Sequence, residues 1–108
     1  MSVNKVILLG YVGCDPEVRY PQPDFPVAFL RLATNERSNA PSVEMTEWHT
    51  IVFNGENATI AERYIRKGTR LYVEGKLRTR EYIDKMKINR KSTEIVVESF
   101  EILGRSAT

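Results

Sequence analysis

The segment from Thr69 to Tyr82, TRLYVEGKLRTREY, has two different faces when read with a period of two. Leu71, Val73, Gly75, Leu77 and Thr79 form a small or apolar face. Arg70, Tyr72, Glu74, Lys76, Arg78, Arg80 and Tyr82 form the other, with four cations and two aromatic rings against one carboxylate. Successive side chains of a strand point to opposite sides, so this segment predicts a half-buried strand with a basic, ring-studded outer face. Cations that meet phosphates, interleaved with rings that stack on bases, suit single-stranded nucleic acid. A merely solvated outer face is the alternative reading of the same pattern.

The rest of the chain supplies few other strong constraints. Its 108 residues suit one domain, spanning 1–108, with a core of its own. The single Cys14 has no internal disulfide partner, which points to a reducing, cytoplasmic setting, and no apolar run approaches a membrane span. Net charge is only +2, but it is unevenly placed. Residues 1–59 hold four Lys/Arg against seven Asp/Glu, residues 60–91 eleven against four, and residues 92–108 one against three. A basic middle between mildly acidic ends predicts one polyanion-facing surface.

Taken in order, Val3 to Leu9 reads as a strand with a contiguous apolar run, Val6, Ile7, Leu8 and Leu9. Such a run suits burial on both sides, by a core and by another subunit. Gly10-Tyr11-Val12-Gly13 reads as its terminator, and Pro21, Pro23 and Pro26 keep Tyr20 to Pro26 out of helix and central strand. Val27 to Thr34 alternates, with Arg31 in the parity of Val27, Phe29 and Ala33. Either Arg31 breaks a core face or that face is exposed. Asn35 to Thr46 is polar and predicts a flexible hairpin loop.

Glu47 to Phe53 is a further strand, with Trp48 in opposite parity to Ile51 and Phe53 and so on the outer face. Glu56 to Lys67 predicts the one helix, with Ala58, Ala61, Tyr64 and Ile65 on its inner stripe, Arg66 and Lys67 at its C-terminal dipole and Gly68 as C′. After the opening segment, Ile83 to Ser92 reads as a basic loop carrying Lys85, Lys87, Arg90 and Lys91. Thr93 to Leu103 is the last strand. An all-β chain of five strands, with one helix between the third and fourth, has the element order of the OB-fold, a five-stranded Greek-key barrel used for oligonucleotides.

Catalytic chemistry is not indicated. Cys14 and His49 are the only thiol and imidazole, so neither a zinc quartet nor a nucleophilic triad can be assembled, and no phosphate-cradling glycine pattern occurs. Glu44 and Glu47 read as a solvated pair. No metal or cofactor is called for, and a non-enzymatic role is expected.

The chain resembles the bacterial single-stranded DNA-binding proteins along nearly its whole length. The matching stretches are VNKVILLG at 3–10, GCDPEVRY at 13–20, LAT at 32–34, TEWH at 46–49, ERYIRKGTRLYVEGKLRTREY at 62–82 and TEI at 93–95. The resemblance implies an OB-fold, sequence-tolerant binding of single-stranded DNA in replication, recombination and repair, and assembly as a homotetramer, with a dimer as the smaller possibility. It implies a subunit contact through the first strand (Val3, Lys5, Val6, Ile7, Leu8), with His49 either in that contact or satisfied within its own subunit. It places stacking rings at Trp48 and Tyr82, and phosphate contacts at Lys67, Lys76, Arg78 and Arg80, joined by Lys85, Lys87, Arg90 and Lys91. Tyr72 and Arg31 are further candidates.

Departures from the family pattern matter as much. Ser38 and Asn54 stand where members often carry rings, and Glu56 and Glu81 where cations are common. Stacking is worth about 1–3 kcal/mol per base, so binding is expected to lean on electrostatics and to depend steeply on salt. Members usually continue into a disordered tail with an acidic tip that recruits replication and repair enzymes, whereas this chain ends at Gly104-Arg105-Ser106-Ala107-Thr108. Two other readings stay open: an OB-fold primosome-interaction protein with weakened DNA binding, and an RNA-binding OB module.

Overall fold

The computed structural model describes residues 1–37 and 44–105. Their elements are β1 (Val6–Val12), β2 (Glu17–Gln22), β3 (Phe25–Arg37), β4 (Glu44–Asn54), α1 (Glu56–Tyr64), β5 (Thr69–Ile83) and β6 (Asn89–Arg105). The strands run in the order β1-β5-β6-β4-β3-β2, and a further β1–β3 pairing closes five of them into a ring. All pairings are antiparallel except β4–β6. The expected five-stranded OB barrel is therefore present, with β2 as an added edge strand. One edge of β3 is shared: β2 pairs with Phe25–Phe29, and β1 takes over at Leu32 and Ala33. Pro21 is tolerated within β2 because that strand is outermost and needs no second ladder.

Closing so small a ring bends strands sharply, and glycines sit where backbones meet. A Cβ on Gly10 would collide with the Ala33 carbonyl, and one on Gly75 with the Val96 carbonyl. Gly10-Tyr11-Val12 is therefore not a terminator. The strand starts later than expected, at Val6, and continues through the glycine, because Tyr11 pairs with Arg70 of β5 on one side and Ala33 of β3 on the other.

The core lies inside the barrel, where Leu30, Leu32, Ile51, Phe53, Leu71, Val73 and Ile95 are buried. Alternation resolves the parity of β3: Ala28, Leu30 and Leu32 point in, and Arg31 is on the exposed face. It also divides the apolar run of β1 between two faces. Val6 and Leu8 pack on the core, while Ile7 and Leu9 point outward, 56% and 45% exposed.

Helix α1 closes one end of the barrel through Ala58 and Ala61, with Ile65 just beyond it. It ends three residues before the expected Lys67. Ile65 is already extended, Arg66 donates to the carbonyls of Glu62 and Ile65, and Tyr64 points to solvent rather than into the stripe. Gly68, at φ 90°, belongs to the turn into β5 and not to a helix cap. No helix among the described residues is long and apolar enough to cross a membrane.

Two predicted loops contain strand among their described residues. Asn35 to Thr46 is paired on both sides, out to Arg37 and in from Glu44, with Thr46 donating to Asn35 Oδ1 at 2.7 Å. Ser38 lies outside the described residues, as do Ser106 to Thr108. Ile83 to Ser92 is the tip of a β5–β6 ribbon, with pairing held to Ile83↔Asn89 and only Asp84 to Ile88 turning.

Candidate nucleic-acid interface

Cross-strand register lines up the outer face of the barrel. Residues opposite one another share a face. One row therefore reads Arg31, Thr50, Glu94, Arg78 across β3, β4, β6 and β5, and the next reads Phe29, Val52, Val96, Lys76. The corresponding inner row is Leu30, Ile51, Ile95, Leu77. Trp48 is two residues before Thr50 on the same face, and Arg80 two beyond Arg78. The topology thus brings Arg31, Trp48, Lys76, Arg78 and Arg80 to one surface, although they are up to 49 residues apart in sequence.

Trp48 is held as a platform. Its indole is half exposed and packs against the backbone at Gly13, where any Cβ would overlap Cζ3. The Arg31 guanidinium lies 5.8 Å from the ring centroid, and Gly13 N–H donates to the Arg31 carbonyl at 2.8 Å. One glycine therefore provides the floor and also ties down the strand that carries the cation. Asp15, two residues on, accepts from the Lys67 backbone N–H at 2.8 Å, which sets exposed Lys67 beside this end of the face.

Beyond Gly75 β5 has no β1 partner and pairs with β6 alone, so its two-faced pattern stops there and Leu77 and Thr79 are exposed with their basic neighbours. Asn4 clasps the free edge at that point, its side-chain amide bonding both N–H and carbonyl of Leu77 at 2.9 Å. Along the ribbon, Arg80 lies 5.1 Å from the Tyr82 ring centroid and its Nε donates to Glu94 at 3.0 Å. Glu94 is 1% exposed, and Arg78 NH2 is 4.0 Å from its other oxygen. This buried carboxylate is the organising residue that sequence reasoning missed. The TEI stretch marked it only as part of the last strand.

The cations at the tip are partly committed. Arg90 pairs with Asp84 at 2.9 Å, and Lys91 is 3.8 Å from Glu81. Asp84 also accepts from the Met86 and Ile88 backbone N–H groups, which closes the turn that presents Lys85 and Lys87. The Arg90 bond, aided by the Ile88 and Met86 N–H groups, holds the Asp84 carboxyl below the ordinary aspartate range.

Not every expected residue joins this surface. Tyr72 sits opposite Leu9 of β1, and its hydroxyl donates to Glu74 at 2.8 Å. Lys5 meets the same carboxylate at 2.9 Å. These bonds, Lys5 foremost, hold Glu74 below its usual range, and the Glu74 contact raises both Lys5 and Tyr72. Tyr72 thus belongs with Lys5 on the β1 side. His49 Nε2 lies 2.8 Å from Thr34 Oγ1, so one ring nitrogen is satisfied within the chain. Val3 and Ile7 are exposed, whereas Val6 and Leu8 face the core. Asn54 is opposite Val27, which makes Phe29 its diagonal neighbour on the outer face. Glu56 is in the first turn of α1, where its charge complements the helix dipole.

A five-stranded OB barrel with a cationic, ring-bearing outer face and a basic ribbon defines an oligonucleotide-binding class of protein. Its relatives sharpen that. Residues 3–103 match the single-strand binding protein family, and the chain belongs to that family. It is 48% identical over 104 residues to a single-stranded DNA-binding protein of Rhizobium meliloti, covering 92% of this chain and 60% of that protein. A single-stranded DNA-binding protein of Bacteroides thetaiotaomicron is 47% identical over 109 residues, covering 96% of this chain and 68% of its own length. The chain thus spans about two thirds of the length of these relatives. In structure it resembles a Plasmodium falciparum SSB solved in complex with single-stranded DNA, with a TM-score of 0.82, 33% identity, and coverage of 98% of this chain and 97% of that one.

Proposed function

We propose that residues 1–108 form a single-stranded DNA-binding domain that coats unwound DNA without sequence preference and catalyses nothing, serving replication, recombination and repair. The observation that carries this is the Trp48 platform between Gly13 and Arg31, on the same face as Lys76, Arg78 and Arg80. Bases stack on Trp48 and on Tyr82, while phosphates follow Arg31, Lys67, Lys76, Arg78 and Arg80 toward Lys85, Lys87, Arg90 and Lys91. The relatives' single-stranded DNA binding supports the reading. A bacterial cytoplasmic, nucleoid-associated setting goes with it.

Self-association, as a tetramer or a dimer, uses the exposed β1 side, where Val3, Ile7 and Leu9 flank the Lys5–Glu74 pair. Titrating Trp48 fluorescence with oligo-dT at several salt concentrations tests binding, and light scattering on the same samples counts subunits. Saturable quenching that weakens steeply with salt is the expected result, and a flat dependence of log K on log salt would sink the proposal. The pairing of Arg90 and Lys91 with carboxylates favours one second reading, a partner-docking protein with weak DNA binding. Absence of quenching at low salt would select it. Competition between oligo-dT and oligo-U ranks DNA against RNA.

A further inference from the structure

We infer a further base-binding subsite, apart from Trp48 and Tyr82, in the cleft between the β2–β3 hairpin and the β5–β6 ribbon. This rests on the single-strand reading above and adds to it a place where one nucleobase is held. The cleft is an open cavity of about 480 Å³, within the ~300–1,000 Å³ span of small-molecule sites. Tyr20, Pro21, Val27 and Phe29 line it, with Arg19 and Arg80 as its charged residues.

Three features of this cleft select a nucleobase rather than an apolar peptide. Its rings come with guanidinium groups at hand, and flat, partly polar bases stack on both kinds of plane. Arg19 lies 5.2 Å from the Phe29 ring centroid and pairs with Glu17 at 2.9 Å, so the cation already lies beside the ring. Arg80, which lines the same cavity, is already placed on the phosphate path and oriented by Glu94. A strand whose phosphate rests at Arg80 therefore has an apolar slot directly beside it for the attached base.

Continuity along β3 supports the same occupant. Phe29 and Arg31 are successive outward residues of one strand, about 7 Å apart by strand rise. Arg31 lies over Trp48, so the two stacking places follow each other along the outer face. Tyr20 is 58% exposed and is the ring most free to close over a base.

The test is an oligo-dT titration, read by Trp48 quenching, of the full chain as wild type, Y20A, Y20F and F29L. A matched oligonucleotide series with one abasic position is included. Y20A and F29L are expected to weaken binding about tenfold at every salt concentration with the slope of log K against log salt unchanged, because a stack is lost and no phosphate contact is. Y20F keeps the ring and keeps the affinity. The penalty for an abasic position shrinks in Y20A. Tyr20 is a surface residue of an edge strand, so Y20A serves even where F29L unfolds; circular dichroism checks both. Wild-type quenching with Y20A indistinguishable from wild type overturns the subsite and leaves the single-strand reading intact. No binding by the wild type overturns both.

Discussion

Arg80 and Glu94 meet with Nε 3.0 Å from Oε2, but only one of them is out of water: the Glu94 side chain is 1% exposed and that of Arg80 46%. Removing the cation leaves a buried carboxylate with Arg78 at 4.0 Å as its remaining charged neighbour among the described residues. Leaving such a group unpartnered costs about 1–3 kcal/mol, at the lower end where a half-exposed arginine supplied the partner. R80A should therefore lower urea-unfolding stability by about that amount. The double variant R80A/E94Q should recover most of it, since the amide carries no charge. Equal stability of R80A and wild type would show that Glu94 needs no partner.

The seat of Trp48 predicts a second outcome. A methyl group at residue 13 cannot coexist with the indole in its present position, because it would also lie 2.8 Å from Cη2. G13A should shift Trp48 emission before any DNA is added and weaken oligo-dT binding about tenfold, as loss of one stack implies. Emission and affinity both unchanged would mean that the ring is not held by this glycine.

At Glu81 the expected effect is purely electrostatic. Glu81 and Lys91 are 3.8 Å apart, with side chains 75% and 72% exposed, so E81Q should leave the melting temperature unchanged within the small worth of surface pairs. Freed from its neighbour, Lys91 can take one more phosphate. The slope of log K against log salt should then steepen by about 0.7, with the gain in affinity confined to low salt. An increase that persists at high salt would point to a non-ionic contact instead.

Acid should open the ribbon tip before it opens the barrel. Asp84 is held below its ordinary value of ~3.9 by Arg90 and by the Ile88 and Met86 N–H groups. A carboxyl lowered in this way contributes stability above its unfolded-state value and loses it as pH falls through the folded one. The protection factor of the Ile88 amide proton, followed downward from pH 5, should fall below about pH 4 and show no such step in D84N. Core amides such as Leu71 should keep their protection through the same window.

What could be read from the chain beforehand divides along physical lines. Period-two patterning located β5, the exposed parity of Trp48, and the order of elements, because strand alternation is a local property, and it left the face of Arg31 undecided. It missed β2, whose Pro21 read as a breaker although it sits on an outer edge. It also stopped β1 at Gly10, because a glycine that permits a close backbone approach has the same spelling as one that ends a strand, and it began the last strand at Thr93 although β6 starts at Asn89. Parity grouped Tyr72 with Arg78, yet the first lies against β1 and the second past the end of the β1 pairing, in the row of Arg31 and Thr50. Glu94, Phe29 and Gly13 carried no local signal for the site. Each acquires its role from a partner on another strand, which only the closed ring supplies.

The ribbon formed by β5 and β6 has one more consequence. Its pairing continues from Lys76↔Val96 to Ile83↔Asn89, and the turn at its end is bonded by Asp84. Holding Lys76, Arg78 and Arg80 in line is thus an entropy cost met when the chain folds, not when a ligand arrives. A cationic loop of the same composition would have to freeze its backbone at each encounter, at roughly 1–2 kcal/mol per residue ordered. The ladder makes the charge array a preorganised one, and the free energy of each phosphate contact remains available for holding the strand.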